Sequence, residues 1–296
     1  MSKRRTMYRI NRFLCLLSTF LLFLSIVGAF SVGIVTVTIG NTDFKVSYFT
    51  SPATINTLVK ELDENLTDFC EEEDISKEVF LSTTGYSFIS SIQRTVIMDT
   101  TTTEPTNFSY TSTIIGDYTK ALNNYDKENG IERSDEETER IVNEAVDIFN
   151  RTCSIQNNEH LSRWANVVNY KFLPVILAAF ILLALFLTSY LNRLNGGRKL
   201  KYNYIAMSFT SAGLVMVFIP LISIVYGIMR RVNLTNIDAY NEAIKQCVNS
   251  MFVVFIIFGA MLTGIGAAMF AWTYKYYRMK LLESDTEAEI KRNLVK

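Results

Sequence analysis

The stretch FLSIVGAFSVG, residues 23–33, decides the fold. Its Val27-Gly28-Ala29 carries small residues at the spacing a signal peptidase reads, and the preceding MSKRRTMYRINR is basic. A secretory signal has an apolar stretch of about 7–15 residues and stops near its cleavage point. Here the apolar run continues beyond Ala29 through Phe30, Val32, Gly33, Ile34, Val35 and Val37. Counted from Phe13 it reaches about 25 residues, enough to cross a bilayer with some tilt. The stretch therefore reads as a retained first membrane span, with the following residues emerging on the far side.

Three further runs, Phe172–Leu191, Tyr204–Met229 and Met251–Thr273, have span length and contain no Asp, Glu, Lys, Arg or His. The 296-residue chain is 49% hydrophobic with 29 basic and 29 acidic residues, but these are unevenly placed. Residues 1–12, the loop after the second run and the start of the tail are basic. Residues 41–170 hold 23 Asp and Glu against 10 Lys and Arg. Basic segments stay in the cytosol; Arg230 and Arg231, at the outer end of span three, go against that assignment but are outnumbered. The expected fold is an all-α membrane protein of the cell membrane with four transmembrane helices and a helical extracytoplasmic domain. Its parts are a cytoplasmic N-terminus (1–12), span one (13–37), the extracytoplasmic domain (38–170), span two (171–191) and a cytoplasmic loop (192–203). Span three (204–229), an outer loop (230–250), span four (251–273) and a cytoplasmic tail (274–296) complete it.

Within the outer domain, VTVTIGNTDFKVSYF alternates apolar and polar residues about Gly40-Asn41, which predicts a small β-hairpin after span one. From Ser51 the period lengthens. Ile55, Leu58, Val59, Leu62, Leu66 and Phe69 form the stripe of a helix over residues 52–72, with Ser51 as N-cap and Pro52 in the first turn. Further helices are expected over 76–97 and 110–125, and a fourth begins at the capping box Ser134-Asp135-Glu136-Glu137. The spacing of Leu161, Trp164, Val167 and Val168 predicts that this last helix runs on into span two.

Little in the chain points to catalysis. His160 is the one histidine, which argues against His-based metal and nucleophile–base sites. The acidic DFCEEEDIS (68–76) lacks the spacing of a calcium loop. No ionisable residue lies inside a span, where ion and proton pathways place them. No catalytic, cofactor-binding or metal-ligating residues are assigned. Small residues repeat at helical spacing in span one (Ser25, Ala29, Gly33) and span four (Ala260, Gly264, Ala268), faces suited to close helix packing within the bundle or against a partner helix. Pro220 interrupts the backbone hydrogen bonding of span three. Asn65, Asn107, Asn150 and Asn233 are glycosylation sequons on the outer side.

Cys70, Cys153 and Cys247 lie outside, where disulfides persist, and three single pairings are open. A continuous helix would lift Cys153 about 27 Å above residue 171, away from Cys247 just before span four. A disulfide between Cys70 and Cys153 is the pairing then expected.

The layout is similar to that of claudin-like four-span proteins, which also place their larger outer loop between spans one and two, but their Trp-Leu-Trp…Cys…Cys signature is missing here. Two spans flanking a helical outer domain also resemble the front end of a bacterial sensor, although no output domain follows span two. The expected function is that of a non-enzymatic membrane protein. Beyond the lipid bilayer, its partner is a protein, bound by the outer domain or by the small-residue faces of spans one and four. Nucleic acid is not an expected partner. A channel or transporter subunit is the alternative, and a membrane enzyme ranks third.

Overall fold

The computed structural model describes residues 2–100, 110–155, 172–194, 200–231 and 233–294, and the regular elements among them are all helical. The chain divides into two compact units. One comprises Met1–Val35, Lys171–Tyr226 and Met251–Lys296, the other Thr36–Tyr170 and Gly227–Ser250. We call them the apolar and the polar unit.

The apolar unit is built from α1 (Ser2–Val37), α8 (Leu173–Leu194), α9 (Leu200–Val225) and most of α10 (Asp238–Leu294). Each contains a stretch long and apolar enough to cross a membrane: Ile10–Val37, Leu173–Leu194, Tyr202–Val225 and Asp238–Met279. Helices suit such sequences because hydrocarbon offers backbone N–H and C=O groups no partner outside the segment. Cys15, Leu22, Ile26, Ile34, Leu187, Leu191, Ala212, Met216 and Leu262 form the inner core. Leu182, Phe186, Ile219, Ile257 and Met261 stay exposed, as side chains facing lipid would. Glycine brings α9 and α10 together: a Cβ at Gly259 would stand 2.8 Å from the Gly213 carbonyl oxygen, and one at Gly266 2.9 Å from that of Ala206. The Ser208 hydroxyl donates to the Thr19 carbonyl at 2.9 Å, tying α9 to α1. Pro220 lies inside α9.

The polar unit contains α2 (Thr42–Phe49), α3 (Pro52–Glu72), α4 (Glu78–Leu81), α5 (Tyr86–Thr100), α6 (Thr111–Asn129), α7 (Asp135–Cys153) and a 3₁₀ turn at Ile228–Arg231. The first turns of α10 complete it. The expected hairpin is not formed. Val35–Val37 finish α1, and residues 42–49 are helical. The Asn41 side chain accepts from the Asp43 and Phe44 N–H groups, so the Gly-Asn pair ends one helix and caps the next. Burial of Lys45, Val46 and Phe49 follows a helical period and overrides the short alternation.

α3 occupies the range its stripe predicts, and the Ser51 hydroxyl accepts from the Thr54 N–H as its cap. Ile55, Leu58, Leu62 and Leu66 are fully buried. α7 packs on α3 and α6, α4 on α6, and α5 on α2 and α3. The single helix expected over 76–97 is two, separated by a turn that ends at Gly85. Gly130, at φ +67°, closes α6 in the left-handed conformation that glycine adopts without strain. The turn after it buries an Asp126–Arg133 ion pair at 2.9 Å, with both side chains 9% exposed. Arg140 makes a bidentate pair with Glu73 at 2.8 and 2.7 Å, joining α7 to the end of α3.

α7 does not continue unbroken beyond Cys153 as the spacing predicts. It stops at Cys153, with Ser154 extended at φ −90° and ψ 117°. Residues 156–171, which include His160 and Trp164, lie outside the described residues, as do the Asn107 sequon and residues 195–199.

Candidate functional site

The chemistry of the polar unit converges on a cleft of about 570 Å³. Its walls are Glu61, Glu64 and Asn65 from α3, Arg151, Thr152 and Ser154 from the end of α7, and Thr235–Asp238 leading into α10. Each wall is pinned by hydrogen bonds that the sequence specifies. Asn65 Nδ2 donates to Thr152 Oγ1 at 2.9 Å, fixing α3 against the last turn of α7. Asn241 Oδ1 accepts from the N–H groups of Leu234 and Thr235 at 2.9 and 3.2 Å, and its Nδ2 donates to the Thr235 carbonyl at 2.8 Å. One amide thus folds residues 234–237 into a defined loop. Glu61 Oε1 accepts from the Ala239 N–H at 3.3 Å, a carboxylate placed at the start of a helix, where unpaired N–H groups and the helix dipole favour it.

Burial raises the Glu61 carboxyl above its ordinary range, the Ala239 N–H partly offsets this, and nearby Asp238 adds to the rise. A raised carboxyl pKa means that the folded state holds the proton more tightly than the unfolded chain. This group's contribution to stability therefore falls as pH rises from about the ordinary value of 4.5 through the raised folded one. Glu61→Gln is expected to flatten that part of the pH profile of thermal unfolding. An unchanged profile would show that Glu61 does not titrate differently in the fold.

Behind the cleft, the last carbonyl of α7, that of Cys153, receives two donors, the Tyr240 hydroxyl and Gln93 Nε2. Gln93 Nε2 also donates to the Tyr240 oxygen at 2.7 Å. A helix-end carbonyl that lacks an intrahelical partner is thereby satisfied inside the core. The Tyr240 ring lies 5.9 Å from that of Phe49.

The Cys70–Cys153 disulfide is not formed: none of Cys15, Cys70, Cys153 and Cys247 is in a disulfide, and all four are buried. The expected separation of Cys153 from the chain before span four assumed a continuous helix. Because α7 ends there, the Cys153 carbonyl instead meets Tyr240 in the first turn of α10. Burial pushes the Cys70 thiol up to about 11 and the Cys153 thiol further still, so neither supplies the thiolate that exchange requires. Alkylation of the native chain is expected to leave both thiols unmodified until denaturant is added. A mass 2 Da (about two protons) below the reduced value, or rapid labelling of Cys70, would contradict this arrangement.

The small-residue faces are placed as follows. Ser25 is buried, with its hydroxyl on the Leu21 carbonyl at 2.8 Å, and Ala29 and Gly33 are half-buried. Ala260, Gly264 and Ala268 are exposed. The residues of α10 that meet α9 lie on the adjoining stripe, at Gly259, Thr263 and Gly266.

Glu61, Gln93, Arg151, Asp238 and Tyr240 were not singled out by motif reading. A signal for the last two exists, since Ala239, Tyr240, Ala243, Ile244, Cys247 and Val248 recur at helical spacing in a segment otherwise read as a loop. Among the described residues, no group of three or more His, Cys, Asp or Glu side chains could hold a metal ion. No family model matches the chain, no curated protein matches it, and no solved structure matches it.

Proposed function

We propose that the chain is a non-enzymatic multi-pass protein of the cell membrane whose acidic outer domain binds a basic protein partner. The observation that carries this is the polar cleft, in which Glu61, Glu64 and Asp238 outnumber Arg151 on a domain already rich in acidic residues. Such a surface steers partners of opposite charge and selects among them by electrostatic complementarity. Few large apolar side chains of the polar unit are exposed, Tyr86, Ile115 and Ile131 among them, which supports polar rather than greasy recognition. The hydroxyls of Thr19, Ser25, Thr188 and Thr263 in the apolar unit donate to carbonyls of their own helices, a use in packing rather than in lining a passage.

The partner test is extraction in mild detergent and comparison with a chain carrying Glu64→Lys and Asp238→Lys, two exposed substitutions. A cognate partner is retained by the unchanged chain, released at about 0.5 M salt, where screening acts within a few Å, and lost from the variant. Retention of the same proteins by both chains would overturn the assignment. The topology is tested separately: protease added to intact cells should cut within residues 41–170 and spare a tag after Lys296. The reverse pattern would invert the orientation.

A further inference from the structure

A second concavity lies in the apolar unit, independent of the outer domain's proposed role. It is a crevice of about 560 Å³ between α9 and α10, walled by Tyr204 and Met207 on one side and by Phe270, Ala271, Tyr274 and Tyr277 on the other, with Asn203 at its edge. Its position follows from the packing of these helices. The close seam made by Gly213, Gly259 and Gly266 ends at Gly266. One turn further on, α10 presents Phe270, Tyr274 and Tyr277, whose rings prevent the backbones from meeting in that way. Met207, Phe270 and Tyr274 remain 49%, 38% and 70% exposed, so among the described residues no side chain covers them.

Two features identify what covers it. The walls belong to stretches with the length and apolarity of membrane spans, Tyr202–Val225 and Asp238–Met279, so the medium around them is acyl chain. The neighbouring face of α10 is basic: Lys275 and Arg278 are exposed, stand four and seven residues after the lining Ala271 and so share its side of the helix, and no acid occurs between Phe270 and Leu282. Tyrosines and basic side chains at the end of a span mark headgroup depth, where clusters of Lys and Arg attract anionic lipid. The volume falls within the range of about 300–1,000 Å³ typical of small-molecule sites. We infer that this crevice is a specific site for an anionic phospholipid, with one acyl chain between Met207 and Tyr274 and the phosphate at Lys275 and Arg278.

The test is native mass spectrometry of the full chain in detergent, titrated with phosphatidylglycerol or with phosphatidylcholine of identical acyl chains. The unchanged chain is expected to retain the anionic lipid preferentially. Ala271→Trp fills the crevice and should abolish retention of both lipids, whereas Leu182→Trp, on an exposed face of α8, should leave it intact. Lys275→Gln with Arg278→Gln, both exposed and tolerable to the fold, should reduce the headgroup preference by about fivefold per charge while retention of phosphatidylcholine is unchanged. Equal retention of the two lipids by the unchanged chain would overturn the site. So would undiminished phosphatidylglycerol binding in Ala271→Trp, or a preference that survives loss of both charges.

Discussion

Gly213→Leu is expected to prevent α9 and α10 from packing, and the detergent-extracted protein should lose its cooperative unfolding transition. A Cβ at Gly213 would stand 2.5 Å from both the Gly259 carbonyl oxygen and the Thr263 backbone N, and closer still to the Thr263 hydroxyl. Two of these three neighbours are backbone, which cannot rotate away as a side-chain tip can. Overpacking against yielding side chains costs about 1–3 kcal/mol, and separating two helices that touch along their backbones should exceed that range. In lipid or detergent there is no hydrophobic gain to offset the loss, because helix association there rests on close van der Waals contact. The comparison that isolates the effect is Gly264→Leu. A Cβ at Gly264 meets nothing within 4 Å, so this change on the facing helix, α10, should alter stability by less than about 0.5 kcal/mol. Equal effects of the two substitutions would show that the seam does not hold the unit together.

That contrast also locates the boundary of what could be read in the sequence. Helical spacing sets Gly259 and Thr263 on one stripe and Ala260, Gly264 and Ala268 on its neighbour. Both stripes are small, and sequence cannot say which of two adjacent faces meets the helix of the same chain. The partner supplies the missing information, since Gly213, Thr210 and Ala206 of α9 lie against the first stripe.

The helices of the polar unit were legible where local chemistry is strong. Ser51-Pro52 and Ser134 fixed the starts of α3 and α7, because a side-chain oxygen accepting an orphan N–H is a local event that needs no tertiary context. Local alternation misled at residues 35–48. There the identity of Asn41 as a cap depended on Val46 and Phe49 being buried in a core that the sequence does not draw. The cleft was least legible. Glu61, Arg151 and Asp238 are far apart in sequence, and each alone is an ordinary charged residue on a helix or at its end. Only the packing of α7 on α3 and the return of the chain at Asp238 make them neighbours.

That return of the chain carries the second large effect. Tyr240 is fully buried and binds two long-range partners at once, so its removal should destabilise the polar unit more than loss of most apolar side chains. Truncation of a large buried aromatic costs about 3–5 kcal/mol, and Tyr240→Ala would lose the ring contact with Phe49 as well as the hydroxyl. Tyr240→Phe keeps the ring and separates the two contributions. It leaves Gln93 as the one donor to the Cys153 carbonyl of the two found there and deprives Gln93 Nε2 of its second acceptor. That should cost about 1–3 kcal/mol, the penalty for leaving buried polar groups short of partners. Gln93→Leu removes the other donor, and in the double variant the costs should fall short of additive, with a coupling of about 0.5–3 kcal/mol. Thermal unfolding of the four chains in one detergent measures the cycle. Hydrogen exchange places the effect, which should appear as faster exchange at the C-terminal turn of α7 and at Ala239, where Glu61 receives its hydrogen bond. If Tyr240→Phe matches the unchanged chain in both measurements, the carbonyl of Cys153 does not need its second donor, and the cleft is held by α3 and the Asn241 loop alone.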